Sequence, residues 1–175
     1  KLNGSREFNQ QWALEFLKHF NGNNFPSFGI APASLYIDHL QEILNNCGIK
    51  IGAQNIDYLE AGPRTGEISA SMIKDLGCEF CIIGHSERRT LFNETSQIIH
   101  QKLIQANNNS IIPILCVGES DEDNQTNNTF NVLEKQIIEA LQGIAELNSL
   151  IIAYEPVWAI GSGKMPDPEE INSVH

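Results

Sequence analysis

Glu155 is an acidic residue at the end of an apolar run, residues 150–154, that is typical of a buried strand. Residues 156–158 read Pro-Val-Trp and restrict the backbone, whereas Gly161 and Gly163 free it. A stiff step and a flexible tip beside a carboxylate predict a lid that shuts out water while Glu155 acts as a base. Backbone amides near Gly161 are suited to hold an oxyanion such as phosphate. A salt-bridged or solvent-facing acid at a strand end is the alternative interpretation.

His85 occupies a comparable position, directly after the apolar stretch "FCIIG". Ser86 and Glu87 follow it and are predicted to form the first turn of a helix. Because the positive end of a helix dipole disfavours an imidazolium, we expect His85 to be neutral and able to donate a hydrogen bond. A histidine satisfied by the local backbone is the alternative for an isolated residue. Polar residues at the ends of other strands favour the functional interpretation.

The elements that must position these residues are predicted to be strands alternating with helices. Five apolar runs predict strands covered on both faces, at residues 27–33, 49–56, 80–86, 111–119 and 150–158. Between them lie helical patterns at residues 34–48, 66–77 and 131–144, and an earlier one begins behind Ser5, a plausible cap. Asp167 and Pro168 make a further helix start. Residues 119–130 are interpreted as an acidic surface loop. The alternation predicts a parallel sheet of right-handed βαβ units.

Polar residues end four consecutive strands of this predicted sheet. They are Gln54 with Asn55, then His85, then Glu119 and finally Glu155. In an open doubly wound sheet, ligand contacts concentrate at one crevice between two strands. A distribution over consecutive strand ends is instead typical of a (β/α) barrel, whose loops all face one mouth.

Composition limits the classes of function. The chain has 175 residues, is 41% hydrophobic and carries a formal charge of −11, which disfavours binding to nucleic acid or anionic membrane surfaces. It contains no apolar run long enough to span a bilayer and no secretory signal, which predicts a cytoplasmic protein. Cys78 and Cys81 form a C-x-x-C pair, for which a redox or zinc site is the alternative to buried apolar side chains.

Five stretches occur in order through essentially all of the chain: "KLNGS", "GAQN" with "TGE", "IIGHSERR", "CVGE" and "AYEPVWAIGSGK". With them the sequence resembles the triosephosphate isomerase family. The resemblance implies an α/β fold, the TIM (β/α)8 barrel, with about five of the eight strands present. Residues 1–175 would be a single, incomplete barrel domain lacking the first strand and the last two βα units, since five strands cannot close such a barrel.

The resemblance also implies a function. Family members interconvert dihydroxyacetone phosphate and D-glyceraldehyde 3-phosphate in glycolysis and gluconeogenesis, by proton transfer through an enediolate. They need no cofactor and no metal, act on a small phosphorylated triose, and are cytoplasmic homodimers. We expect this chain alone to be impaired or inactive. A non-catalytic fragment and an open α/β phosphate-binding module are the alternatives.

Roles for individual residues follow from the same resemblance. Glu155 would be the base, His85 the electrophile, and Lys1 the cation that stabilises the enediolate. Lys1, Gly161 and Ser162 would bind substrate. Glu87, Ser86 and Cys116 would support the site. The lid would comprise Pro156, Val157, Trp158, Ala159, Ile160, Gly161, Ser162, Gly163 and Lys164. The loop at residues 58–67, with Thr65, Gly66 and Glu67, would insert into the partner subunit. Ser162 replaces a usual Thr, and Pro166 replaces a common Ala that ends the lid.

Overall fold

A computed structural model describes residues 1–20 and 28–175. Its strands are β1 (Gly29–Ile30), β2 (Lys50–Ala53), β3 (Phe80–Ile83), β4 (Ile112–Val117) and β5 (Ile151–Tyr154). Its helices are α1 (Arg6–His19), α2 (Ile37–Ile43), α3 (Ala70–Asp75), α4 (Ser86–Leu91), α5 (Ser96–Asn108), α6 (Asp121–Gln125), α7 (Thr129–Leu141) and α8 (Pro168–Val174). Short 3₁₀ turns lie at Ser34–Tyr36 and Val157–Ala159.

The five strands form one parallel sheet in the order β1-β2-β3-β4-β5. Spatial order therefore follows chain order, and each strand is joined to the next by a connection that contains at least one helix. A doubly wound sheet would reverse direction at a switch point. The prediction of a partial (β/α) barrel built from five strands is confirmed.

The strands are shorter than the apolar runs that predicted them. The first run was 27–33, but β1 covers Gly29–Ile30, and residue 27 lies outside the described residues. The last run was 150–158, but β5 ends at Tyr154, just before Pro156 and the 3₁₀ turn. Proline cannot donate a ladder hydrogen bond, so the run changes conformation there.

Side-chain caps fix several helix starts. The Ser5 hydroxyl accepts a hydrogen bond from the Phe8 amide at 3.1 Å, as predicted. Asp167 caps α8, and Pro168 occupies its first turn, also as predicted. The interpretation of residues 119–130 as a loop was wrong in part. Ser120 and Asp123 form a reciprocal capping box that starts α6 inside this segment.

One aromatic side chain of β3 requires glycine on two neighbouring strands. Phe80 is 8% exposed, and a Cβ added at Gly52 would lie 2.5 Å from its ring. A Cβ at Gly29 would lie 2.7 Å from the same ring. The Phe80 ring therefore packs across β2 and β1 only because both positions lack a side chain.

The predicted preference for buried cysteines at the C-x-x-C pair is confirmed. Cys78 and Cys81 are 1% and 0% exposed, and neither forms a disulfide. Burial raises the pKa of the Cys78 thiol to about 11 and that of Cys81 further. Thiols in this state are poor nucleophiles and pack as small apolar groups.

A buried ionic cluster joins α4 and α5 to the end of β2. The Lys102 ammonium donates to Glu94 Oε2 at 2.8 Å and to Asn55 Oδ1 at 2.6 Å. Arg88 donates to the same Glu94 oxygen at 2.6 Å. Lys102 and Glu94 are 3% and 5% exposed, and burial lowers the pKa of Lys102 against the opposing pull of Glu94. Breaking such a pair leaves an uncompensated charge in the interior.

We predict that Lys102→Met lowers the free energy of unfolding by about 3 kcal/mol, the lower end of the range for a broken buried pair, because Arg88 still compensates Glu94. Urea denaturation of the full-length protein at neutral pH measures this. Lys74→Met is the matched control, since Lys74 has one long hydrogen bond, 3.3 Å, to the Ser110 carbonyl near the surface. Equal effects of the two substitutions would contradict the importance assigned to the cluster.

Candidate active site

Glu155 and His85 come together at the carboxyl edge of the sheet. Glu155 directly follows β5, and His85 lies two residues after β3. Glu155 Oε2 lies 3.3 Å from His85 Nε2. The two side chains are 18% and 23% exposed, so both are shielded but accessible to a small molecule. A carboxylate and an imidazole at this distance are suited to acid–base chemistry on one bound substrate.

Ser86 holds the Glu155 carboxylate through two donors. Its backbone amide donates to Oε1 at 2.9 Å, and its hydroxyl donates to Oε2 at 3.1 Å. Ser86 is 6% exposed and is the first residue of α4. Both carboxylate oxygens thus accept a hydrogen bond from Ser86, which fixes the orientation of the Glu155 side chain.

The hydrogen bonding of His85 selects one tautomer. The Glu87 amide donates to His85 Nδ1 at 3.2 Å, which requires that nitrogen to carry no proton. A neutral ring then has its proton on Nε2, the nitrogen that faces Glu155. Nε2 is therefore the atom with which His85 can donate to a substrate oxygen.

Lys1 reaches this group through Glu87. The Lys1 ammonium forms an ion pair with Glu87 Oε1, and Glu87 Oε2 lies 3.9 Å from His85 Nδ1. The hydrogen bond from Lys1 lowers the pKa of Glu87. The structure thus connects Lys1, Glu87, His85, Glu155 and Ser86 through successive contacts, and all five were named from the sequence.

Cys116 lies on β4, between the strands that carry His85 and Glu155. Burial raises the pKa of its thiol to about 12, and the charge of Glu155 adds to the effect. Cys116 is 5% exposed and therefore stays a protonated, apolar neighbour of the carboxylate.

Gly118 lies in the stretch "CVGE" but was given no role from the sequence, and it controls the position of the Glu155 backbone. A Cβ at Gly118 would lie 1.9 Å from the Glu155 carbonyl oxygen. The Gln136 side chain fixes Gly118, because it accepts from the Gly118 amide at 3.0 Å and donates to the carbonyl at 2.8 Å. This close approach joins two strand ends that are distant along the chain, so nothing in the local sequence marks it.

The predicted lid is attached to the segment after β4. Trp158 Nε1 donates to Glu119 Oε1 at 2.7 Å, and the Tyr154 hydroxyl donates to the same atom at 3.0 Å. Lys164 forms an ion pair with Asp121 at 2.8 Å. Glu119 is fully buried, whereas Gly161 and Ser162 are exposed. Glu119 and Asp121 therefore hold the two ends of residues 156–164, roles that the sequence did not predict.

Other polar strand ends do not join the group around Glu155. Gln54 donates to the Ala31 carbonyl at 2.9 Å, and Asn55 binds Lys102 in the buried cluster. Thr65, Gly66 and Glu67 lie exposed in the loop between β2 and α3. Of the four polar strand ends, only those of β3 and β5 place side chains against each other here.

Comparison with known proteins identifies the family. The family model described as triosephosphate isomerase matches residues 1–175. The triosephosphate isomerase of Nitrosococcus oceani is 40% identical over 177 residues, covering 100% of this chain and 71% of that protein. That of Aquifex aeolicus is 42% identical over 178 residues, with coverage of 100% and 71%. That of Dehalococcoides mccartyi is 49% identical over 144 residues, covering 82% of this chain and 56% of that protein.

The chain belongs to the triosephosphate isomerase family. The resemblance inferred from the sequence is thus confirmed, together with the isomerase class that the family represents. The chain spans 56% to 71% of the length of these triosephosphate isomerases. Within residues 1–20 and 28–175, no helix has both the length and the apolar character to cross a membrane. The same part of the chain holds no cluster of three or more His, Cys, Asp or Glu suited to a metal ion.

We predict that Gly118→Ala lowers kcat for triose phosphate isomerisation by about 10²-fold, because the added Cβ must displace the Glu155 backbone and misplacing a reacting group by about 1 Å costs that much. Steady-state kinetics of the full-length protein measures the effect. Gly143→Ala is the control. Gly143 has φ +75° and no atom within 4 Å of an added Cβ, so alanine there strains the backbone without touching the site. Similar kcat values for both variants would contradict the role of Gly118.

Proposed function

We propose that the protein interconverts dihydroxyacetone phosphate and D-glyceraldehyde 3-phosphate in the cytoplasm, as a step of glycolysis and gluconeogenesis. The contact between Glu155 Oε2 and His85 Nε2, 3.3 Å at the carboxyl edge of the sheet, carries the proposal. Membership of the triosephosphate isomerase family supports it. The four cysteines, Cys47, Cys78, Cys81 and Cys116, are all free, which suits a reducing compartment.

Glu155 would be the base that moves a proton between adjacent carbons of the substrate. Removing a proton beside a carbonyl is slow because negative charge collects on the oxygen, so a base and a preplaced donor must act together. In the structure the Glu155 carboxylate accepts hydrogen bonds from the Ser86 amide and hydroxyl, which define its position without substrate. Substrate would draw the carboxylate away from Ser86 and toward the carbon.

His85 would supply the donor to the developing oxyanion. Its Nε2 lies 3.3 Å from Glu155 Oε2, while the Glu87 amide fixes the opposite nitrogen. An aimed donor of this kind contributes about 10²–10³-fold to kcat. A neutral imidazole also avoids forming a strong ion pair with Glu155, which would lower the reactivity of the base.

Lys1, Gly161 and Ser162 would bind the phosphorylated substrate. Lys1 supplies a positive charge on a protein whose net charge is −11, so that a dianion can approach the site. Gly161 has φ +67° at the exposed tip of the lid, a conformation that turns successive amides toward one side. Closure of residues 156–164 over the substrate would exclude water and protect the enediolate from losing its phosphate.

Further strands are proposed to complete the barrel in the full-length protein. Among the described residues β5 has one neighbour, β4, and its Ile151 and Ile152 are 50% and 45% exposed. Phe130 and Ile138 of α7 are also exposed, at 61% and 59%. Exposed apolar side chains in this number, beside an unpaired strand edge, indicate that additional strands and helices cover this surface in the full-length protein.

The loop at residues 58–67 is proposed to insert into a second copy of the chain, giving a homodimer. The Asp57 amide donates to the Ile68 carbonyl at 2.8 Å and closes the loop at its base. Arg64 donates to Asp57 Oδ2 at 2.7 Å and lies 4.5 Å above the Tyr58 ring. A loop that is exposed but internally fixed loses little entropy on binding, which supports a docking role.

We predict that Glu155→Asp lowers kcat by about 10²-fold or more while KM stays nearly unchanged, because the shortened carboxylate no longer reaches the carbon and a positioned base contributes about 10²–10⁴-fold. The coupled assay of triose phosphate conversion measures both constants in the full-length protein. Glu122→Asp, on the exposed side of α6, is the matched control and should keep both values. An unchanged kcat in Glu155→Asp would remove Glu155 from the mechanism.

We predict that Arg64→Met weakens dimerisation about tenfold, because the loop must then be ordered at the moment of binding. Sedimentation at several protein concentrations gives the dissociation constant. Arg6→Met, exposed in the first turn of α1, is the control and should leave it unchanged. A wild-type protein that is monomeric throughout would contradict the homodimer, and a dimer of unchanged strength in Arg64→Met would contradict the importance of loop order.

A further inference from the structure

Arg89 of α4 connects β3 and β4 where their backbone pairing ends. The ladder between these strands stops at the pair Ile83↔Leu115, so the next carbonyls, those of Gly84 and Cys116, lie beyond it. Arg89 Nε donates to the Gly84 carbonyl at 2.7 Å, and its Nη2 donates to the Cys116 carbonyl at 3.0 Å. One planar side chain thus continues the connection between the strands past the last ladder pair.

The two carbonyls that Arg89 holds adjoin the site. Gly84 directly precedes His85 and turns the chain with φ +73°. Cys116 contacts the Glu155 carboxylate from β4. A Cβ at Gly84 would lie 3.1 Å from Arg89 Nη2 and 3.0 Å from Ile99, so little free space surrounds the guanidinium. Movement of Arg89 would therefore be transmitted to the backbone that carries His85.

The charge of Arg89 also acts on the site. Burial lowers the pKa of Arg89, and the negative charges of Glu94, Glu155 and Glu139 oppose this effect. An arginine side chain remains protonated in proteins, so Glu155 lies in the field of a permanent cation. His85 and Cys116 are the other titratable groups against Glu155.

We propose that Arg89 is a positioning residue for the isomerisation. It holds the carbonyls of Gly84 and Cys116 so that His85 and Glu155 face the same substrate. This inference rests on the proposed function. A purely structural role, in which Arg89 only ties α4 to the sheet, is the alternative that an experiment must separate.

Two substitutions in the full-length protein test the positioning role. Arg89→Lys keeps the charge but lacks the fork that reaches both carbonyls, so we expect kcat to fall about tenfold with KM within about twofold. Arg89→Gln removes the charge as well. Its kcat should fall at least as far as that of Arg89→Lys, because one short amide cannot replace both hydrogen bonds.

Lys102→Met is the comparison variant, since it removes a buried cation of the cluster with Glu94 and Asn55, outside the site. It should lower stability without changing kcat or KM of the folded protein. If Arg89→Gln does not fold, the kcat and KM of Arg89→Lys are sufficient to test the inference. A wild-type kcat in Arg89→Lys, or a fall in kcat of Lys102→Met equal to that of Arg89→Lys, would overturn the inference. Absence of isomerase activity in the wild-type protein would instead overturn the proposed function, and this inference with it.

Discussion

The reach of Glu155 across β4 is the constraint on which the site depends. Glu155 follows β5, whereas Ser86 and His85 follow β3, and β4 lies between these strands. Strands two places apart in a flat sheet are separated by about 10 Å. The hydrogen bonds from Ser86 to Glu155 are 2.9 and 3.1 Å long. They therefore require that the sheet is curved and that the residue after β4 has no side chain in the way. Gly118 meets this requirement, because any side chain there would overlap the Glu155 carbonyl.

Side chains, rather than backbone ladders, hold the strand ends that carry the site. Arg89 bonds to carbonyls after β3 and within β4, and Gln136 of α7 bonds to both backbone groups of Gly118. Lys102 of α5 fixes Asn55 after β2 in a similar way, at a strand end outside the site. The helices thus contribute more than cover for the sheet. They provide the polar groups that replace backbone pairing where the strands diverge toward their loops.

The sequence predicted the order of elements well, because apolar runs and helix caps are local features. Ser5 and Asp167 start helices through their own side chains, and the spacing of the runs determines which strands are neighbours. The ends of the strands were less predictable, since an apolar run continues after its ladder hydrogen bonds stop. The roles of Gly118 and Glu119 depend on contacts with Glu155 and Trp158, residues far along the chain that no local pattern reveals.

The two ends of the proposed lid are held by contacts of different kinds. Trp158 is bonded to Glu119, a carboxylate that is fully buried and also accepts from Tyr154 of β5. Lys164 is paired with Asp121 at the surface, where the two side chains are 54% and 48% exposed. Exposed ion pairs stabilise little and are screened by salt, whereas a buried carboxylate cannot lose its donors without a large desolvation cost. If residues 156–164 close over substrate, we therefore expect the end at Lys164 to release before Trp158 leaves Glu119, and Tyr154 remains a donor to Glu119 when it does.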